Sequence, residues 1–174
     1  PSVYLSPSLQ EFNRGVGSYG TEEERMNQVA DVVENLLKEY GVTVYRNAPS
    51  MSLAQAVRDS NSKNPDIHVA LHSNASSSGA ARGPEVYAYS PSTPGDQLAQ
   101  LIYDELAALF PTPGLGVKYS PLYETRRVKA PTALAEVGFH DNYADAKFIE
   151  ENVENIGRAV AKAILRYFGI ANTL

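Results

Sequence analysis

The sequence predicts an α/β domain built on a mainly parallel sheet with helices on both faces, and three observations carry that reading. Short β-branched or apolar runs alternate with longer segments of helical periodicity. The runs Ile67 to Leu71 and Thr132 to Val137 are almost wholly apolar, as strands covered on both faces are. At 174 residues, with no internal repeat, low-complexity tract or linker, the chain suits one domain spanning 1–174 with a full core.

Each element follows from local chemistry. Val3-Tyr4-Leu5 opens the first strand, and Ser6 to Gly20 reads as a long loop carrying Pro7, Asn13, Gly15 and Gly17. Thr21 with Glu24 three residues on is a capping box for the first helix. Met26, Val29, Ala30, Val33, Leu36, Leu37 and Tyr40 form its apolar stripe, and Gly41 stops it. Val42-Thr43-Val44-Tyr45 is the second strand, and Ser52 caps a short helix reaching about Asn61. Ile67 to Leu71 is the third strand and Glu85 to Tyr89 the fourth. Gln97 to Phe110 is an amphipathic helix with Leu98, Leu101, Ile102, Leu106 and Leu109 inward. Pro111 to Lys129, rich in proline, glycine and charge, reads as a second long loop. Thr132 to Val137 is the fifth strand, and one helix is expected from about Tyr143 to Phe168.

Composition narrows the function. A formal charge of −5 without a basic run argues against a nucleic-acid partner, whose binding rests on phosphate neutralisation. No apolar stretch approaches the ~18 residues of a membrane span, so no membrane insertion is expected. The absence of cysteine excludes disulfides, thiolate zinc sites and cysteine nucleophiles. The start Pro1-Ser2-Val3-Tyr4 carries no signal peptide, which suggests a domain excised from a longer chain.

Three residues point to one crevice. His72 ends an apolar strand, and carboxyl ends of strands line the ligand crevice of open α/β sheets. A neutral imidazole there can bind a metal or relay a proton; the plainer reading is a packing histidine. His68, on the same strand and side, stands about 13 Å away, so the two cannot share one ion. His68 is therefore expected in the core or against a helix. Glu22 lies one turn before Met26 on the buried stripe, as a ligand or as a first-turn carboxylate opposing the helix dipole. Glu136 ends Thr132-Ala133-Leu134-Ala135-Glu136, where burial would raise its pKa toward that of a general acid or base. Its plainer reading is an ion pair with Arg126, Arg127 or Lys129. His140 and Asp141 either face the site or cap the last helix.

The segments Asp66 to Ala75 and Pro131 to Phe139 with Asn142 resemble the two signatures of zinc-dependent N-acetylmuramoyl-L-alanine amidases of the Amidase_3 type. Gly83, Tyr45-Arg46, Ser52-Leu53, Arg58 and Asn61 fall in the same register, so the likeness runs from about residue 3 to 169. The resemblance implies a single α/β domain with one Zn2+ held by two histidines and a glutamate. Carried over, Glu22 and His72 are metal ligands and Glu136 is the catalytic glutamate. The family's first strand ends Asp-Pro-Gly-His-Gly, and here Leu5-Ser6-Pro7-Ser8-Leu9-Gln10-Glu11 has no histidine. Gln10 is expected in that ligand place, with Glu11 the alternative.

The implied activity is hydrolysis of the amide between N-acetylmuramic acid and L-alanine in peptidoglycan. Asn74 and Arg127 are expected to bind the muropeptide, outside the cell or in the cell wall, on a monomeric domain. Two rivals stay open: a non-catalytic peptidoglycan-binding module with a degenerate zinc site, and a zinc peptidase acting within the stem peptide.

Overall fold

The computed structural model describes residues 1–174. Six strands, β1 (Ser2–Pro7), β2 (Thr43–Arg46), β3 (Ile67–Asn74), β4 (Glu85–Ala88), β5 (Gly116–Tyr119) and β6 (Thr132–Phe139), make one sheet. Their order is β2-β1-β3-β6-β4-β5. The first four of these neighbours run parallel, while β4 lies antiparallel to β6 and parallel to β5. The sheet is thus mainly parallel, as expected, with a reversed pair at one edge.

Alternation along the strands divides the labour between the two faces. Val3, Leu5, Ile67, Val69, Leu71, Ala133, Ala135 and Val137 join one apolar cluster. The same cluster takes in α1 (Glu22–Glu39), α3 (Pro94–Leu109) and α6 (Val153–Tyr167). The intervening residues Tyr4, His68, His72 and Glu136 face the other side, which α2 (Leu53–Lys63) and α4 (Tyr123–Arg127) cover. Tyr4 Oη donates to Asp59 at 2.6 Å, and His68 Nδ1 meets Ser60 Oγ at 2.8 Å, which ties α2 to that face.

Four expectations need correction. Thr21 Oγ1 accepts from the Glu24 amide at 3.1 Å, but the reciprocal bond that completes a capping box forms at Ser52 and Gln55 instead. The stretch 111–129 is not one loop. Gly116 sits at φ +86 and starts β5 along β4, and Glu124 draws a turn of helix under the sheet. The last helix is two, α5 (Tyr143–Glu151) and α6, because Asn152 bonds back to Phe148 and breaks the phase. The third helix begins at Pro94, whose fixed φ suits a first turn, with Thr93 as its cap.

One buried carboxylate secures the crevice end of the sheet. Asp145, fully buried at the head of α5, accepts from Arg82 Nε and the Gly83 amide, each at 2.8 Å, and from the Phe139 amide at 3.1 Å. It thereby joins the end of β6 to the segment entering β4.

Candidate active site

The carboxyl ends of β1, β3 and β6 open onto a cleft of about 220 Å³ lined by Gln10, Asn13, Glu22, His72, Ser73, Asn74, Ala75, Glu136 and His140. Four expected site residues therefore meet there: Gln10, Glu22, His72 and Glu136. Asn74 joins them. Glu11 does not; it is exposed, its amide turned to the Leu9 carbonyl at 3.1 Å. Arg127 also lies elsewhere, exposed, with its guanidinium 4.6 Å over the Tyr123 ring.

Two elements deliver the central pair. Glu22 is the first residue of α1, only 2 % exposed because it continues the buried stripe of Met26 and Val29. His72 comes up β3, and its Nδ1 stands 2.8 Å from Glu22 Oε2. Asn13 Nδ2 reaches Glu22 Oε1 at 3.4 Å and also donates to Gln10 Oε1, so the amide oxygen sits one side chain from the carboxylate. Burial works against ionising Glu22, yet bonds from His72, Ser8 and Asn13 hold its pKa below the usual carboxylate range.

Glu136 is held differently. It lies beside His72 across the β3–β6 ladder and opposite Glu85 across the β4–β6 ladder. Its Oε2 is buried without a hydrogen-bond partner, and no ion pair joins it to Arg126, Arg127 or Lys129, which are exposed. Burial, with the Glu22 and Glu85 charges, pushes its carboxyl up to about 7 against the opposing pull of His72. That places it where a group can exchange a proton near neutral pH.

Three participants were not anticipated. Glu85 accepts from Asn74 Nδ2 at 2.8 Å and from Tyr87 Oη at 3.1 Å. Glu124, 3 % exposed, places Oε2 2.7 Å from His68 Nε2 and Oε1 3.6 Å from His72 Nε2. Tyr19 Oη donates to Ser73 Oγ at 2.8 Å, and Ser73 Oγ lies 2.7 Å from His140 Nδ1. The capping role belongs to Asn142, and His140 is the site-facing member of its segment. Sequence offered little signal for Glu124, since it falls in a stretch that reads as loop. For Glu85 a carboxylate at the head of an apolar strand was a usable hint.

Two side chains of the cleft are of the kind that can hold a divalent cation. His72 Nδ1 and Glu22 Oε2 are of the types zinc accepts, and around them stand the further carboxylates of Glu136, Glu85 and Glu124. Such a negative cluster favours a cation. No three His, Cys, Asp or Glu side chains converge on one point.

A family model described as N-acetylmuramoyl-L-alanine amidase matches residues 3–166. The chain is 26% identical over 178 residues to the N-acetylmuramoyl-L-alanine amidase CwlM of Bacillus licheniformis, spanning 97% of this chain and 69% of that protein. It is equally 26% identical, over 187 residues, to the germination-specific N-acetylmuramoyl-L-alanine amidase of Bacillus subtilis strain 168, covering 95% and 79% of the two. The catalytic domain of CwlV from Bacillus (Paenibacillus) polymyxa superposes with a TM-score of 0.88 at 20% identity, over 98% of this chain and 99% of that one. At that identity the superposition speaks for the fold, and the family match speaks for the chemistry. This chain belongs to the N-acetylmuramoyl-L-alanine amidase family and is an amidase.

Proposed function

We propose that the domain cleaves the amide between the lactyl group of N-acetylmuramic acid and the L-alanine of the stem peptide, with a zinc ion bound in the cleft. The observation that carries this is the position of Glu136. A buried carboxylate oxygen without a partner lines the same cleft as the Glu22–His72 pair, one strand away from His72.

Glu22 and His72 would hold the metal, with the Gln10 amide oxygen in the third place. When bound, zinc polarises the amide carbonyl and lowers the pKa of a bound water toward ~7. Glu136, with a carboxyl near 7, takes the proton from the attacking water and returns it to the departing alanine nitrogen. Asn74, whose amide group reaches from the cleft lining to Glu85, is the candidate substrate contact. Glu85 also keeps a negative charge beside Glu136, which favours its protonated form after the first transfer.

The substrate class places the domain's work in the cell wall, outside the membrane. No helix is long and apolar enough to cross a membrane.

Product analysis tests the assignment. Zinc-loaded protein given purified peptidoglycan should release peptides with a new N-terminal alanine and leave the glycan strand intact. Glu136→Gln should lower the rate at least about 100-fold, since a positioned acid–base group contributes that much or more. Cleavage inside the stem peptide would instead identify a peptidase. Retention on peptidoglycan with neither product would identify a binding module.

A further inference from the structure

We propose that Glu124 is a positioning residue for the metal site: anchored by His68, its carboxylate backs the His72 ring and strengthens the cleft's hold on a divalent cation. The inference rests on the zinc-dependent reading above, and it assigns work to a residue outside the ligand set.

The two nitrogens of the His72 ring meet different carboxylates. On one side, Nδ1 lies 2.8 Å from Glu22 Oε2, a side chain of the cleft lining. On the other, Nε2 is buried with no hydrogen-bond partner, and Glu124 Oε1 stands 3.6 Å away. A closure of a few tenths of an ångström turns that ion-pair distance into a hydrogen bond. A histidine that binds metal through one nitrogen commonly offers its other N–H to a carboxylate, which fixes the ring and makes it a stronger donor.

Glu124 cannot drift from this place. Its Oε2 is 2.7 Å from His68 Nε2, and the far nitrogen of His68 meets Ser60 Oγ at 2.8 Å. The ring of His68 further stacks on Tyr4, with centroids 5.3 Å apart and planes within 4°. Hydrogen bonds therefore link Ser60, His68 and Glu124 beneath the sheet and stop 3.6 Å short of His72 Nε2. The two histidines thus flank one carboxylate.

The arrangement also bears on the histidine absent from β1. A neutral amide in that place donates weakly, so more of the binding falls on His72 and Glu22. A second carboxylate behind His72 adds charge and basicity where they are most needed.

Zinc affinity, measured by competition with a chromophoric chelator, tests this on the whole domain as wild type, Glu22→Gln and Glu124→Gln, alongside thermal unfolding of each metal-free protein. Glu124→Gln, nearly isosteric, should weaken zinc binding about 10- to 100-fold, the usual effect of losing such a partner. Glu22→Gln should weaken it more. A Glu124→Gln protein that unfolds earlier yet binds zinc like wild type would make Glu124 a core support and overturn the proposal. A wild type that binds no zinc would overturn the metal reading itself, and the three proteins would then be indistinguishable in the chelator assay. Should Glu124→Gln fail to fold, His68→Asn leaves the carboxylate but removes its anchor. Weaker zinc binding in that variant supports the proposal, and unchanged binding overturns it.

Discussion

Glu22 Oε2 and His72 Nδ1 stand 2.8 Å apart, although fifty positions separate them in the chain. One arrives at the head of a helix and the other at the tail of a strand, and neither is a large apolar residue that packing would select. Each is brought there by its neighbours: Met26 and Val29 carry Glu22 inward, while Ile67, Val69 and Leu71 bury β3 and leave His72 on the opposite face. The pair is thus a consequence of two amphipathic patterns meeting at the carboxyl end of the central strands. Glu136, delivered by β6, completes the group.

The raised carboxyl of Glu136 gives stability a pH dependence of known sign. Its native pKa, about 7, lies above the ordinary 4.5, so the folded state holds that proton more tightly than the unfolded chain. The contribution is full below about 4.5 and is lost as pH rises through about 7. Urea denaturation of the metal-free domain should therefore show stability falling over this window by up to about 3 kcal/mol. Glu136→Gln should flatten that slope. An identical slope in the variant would show that another group carries it.

Ser73 joins Tyr19 and His140 in a buried chain, so removing its hydroxyl strands two polar groups at once. Ser73→Ala should cost about 2–6 kcal/mol, since each of the two orphaned groups costs roughly 1–3. Equilibrium unfolding measures this, and a loss under about 0.5 kcal/mol would mean that water replaces the hydroxyl.

Gly83 has φ +97, and a Cβ there would lie 2.5 Å from the Pro113 carbonyl oxygen. Gly83→Ala should destabilise the domain by at least about 2 kcal/mol through strain and the clash together. Because the Gly83 amide also binds Asp145, the shift should reach the crevice end of β6. Slower turnover accompanying the lower melting temperature is the expected signature.

Arg127 and Asn74 separate in a kinetic comparison. Arg127 lies over Tyr123 and outside the cleft lining, so Arg127→Ala should leave kcat/KM within about twofold. Asn74→Ala removes a cleft-lining amide and uncovers Glu85, and should lower kcat/KM about tenfold or more. The opposite ranking would move the peptide path toward α4.

Much of the architecture was legible in the residues themselves. Period-two and 3.6-residue patterns located five strands and the first three helices, because burial of a stripe or a face imposes those periods locally. Gly116 to Tyr119 escaped, since a four-residue edge strand with half its side chains exposed has too little apolar pattern to declare itself. The orientation of β4 and β5 escaped too, because connection length does not state strand direction.

For the cleft, sequence pattern singled out Glu22, His72 and Glu136 by one rule: a polar group at the working end of an otherwise apolar element. The resemblance to the amidase signatures, not the pattern, added Gln10 in the place of an absent histidine. The tertiary structure decided what pattern could not. Glu124 and Glu85 gain meaning only from partners distant in the chain, His68 and His72 for one, Asn74 and Glu136 for the other. Glu11 and Arg127 were turned aside by a loop and a helix whose courses depend on what they pack against. Local burial is written in local spacing, whereas the match between two buried polar groups depends on how separate elements dock.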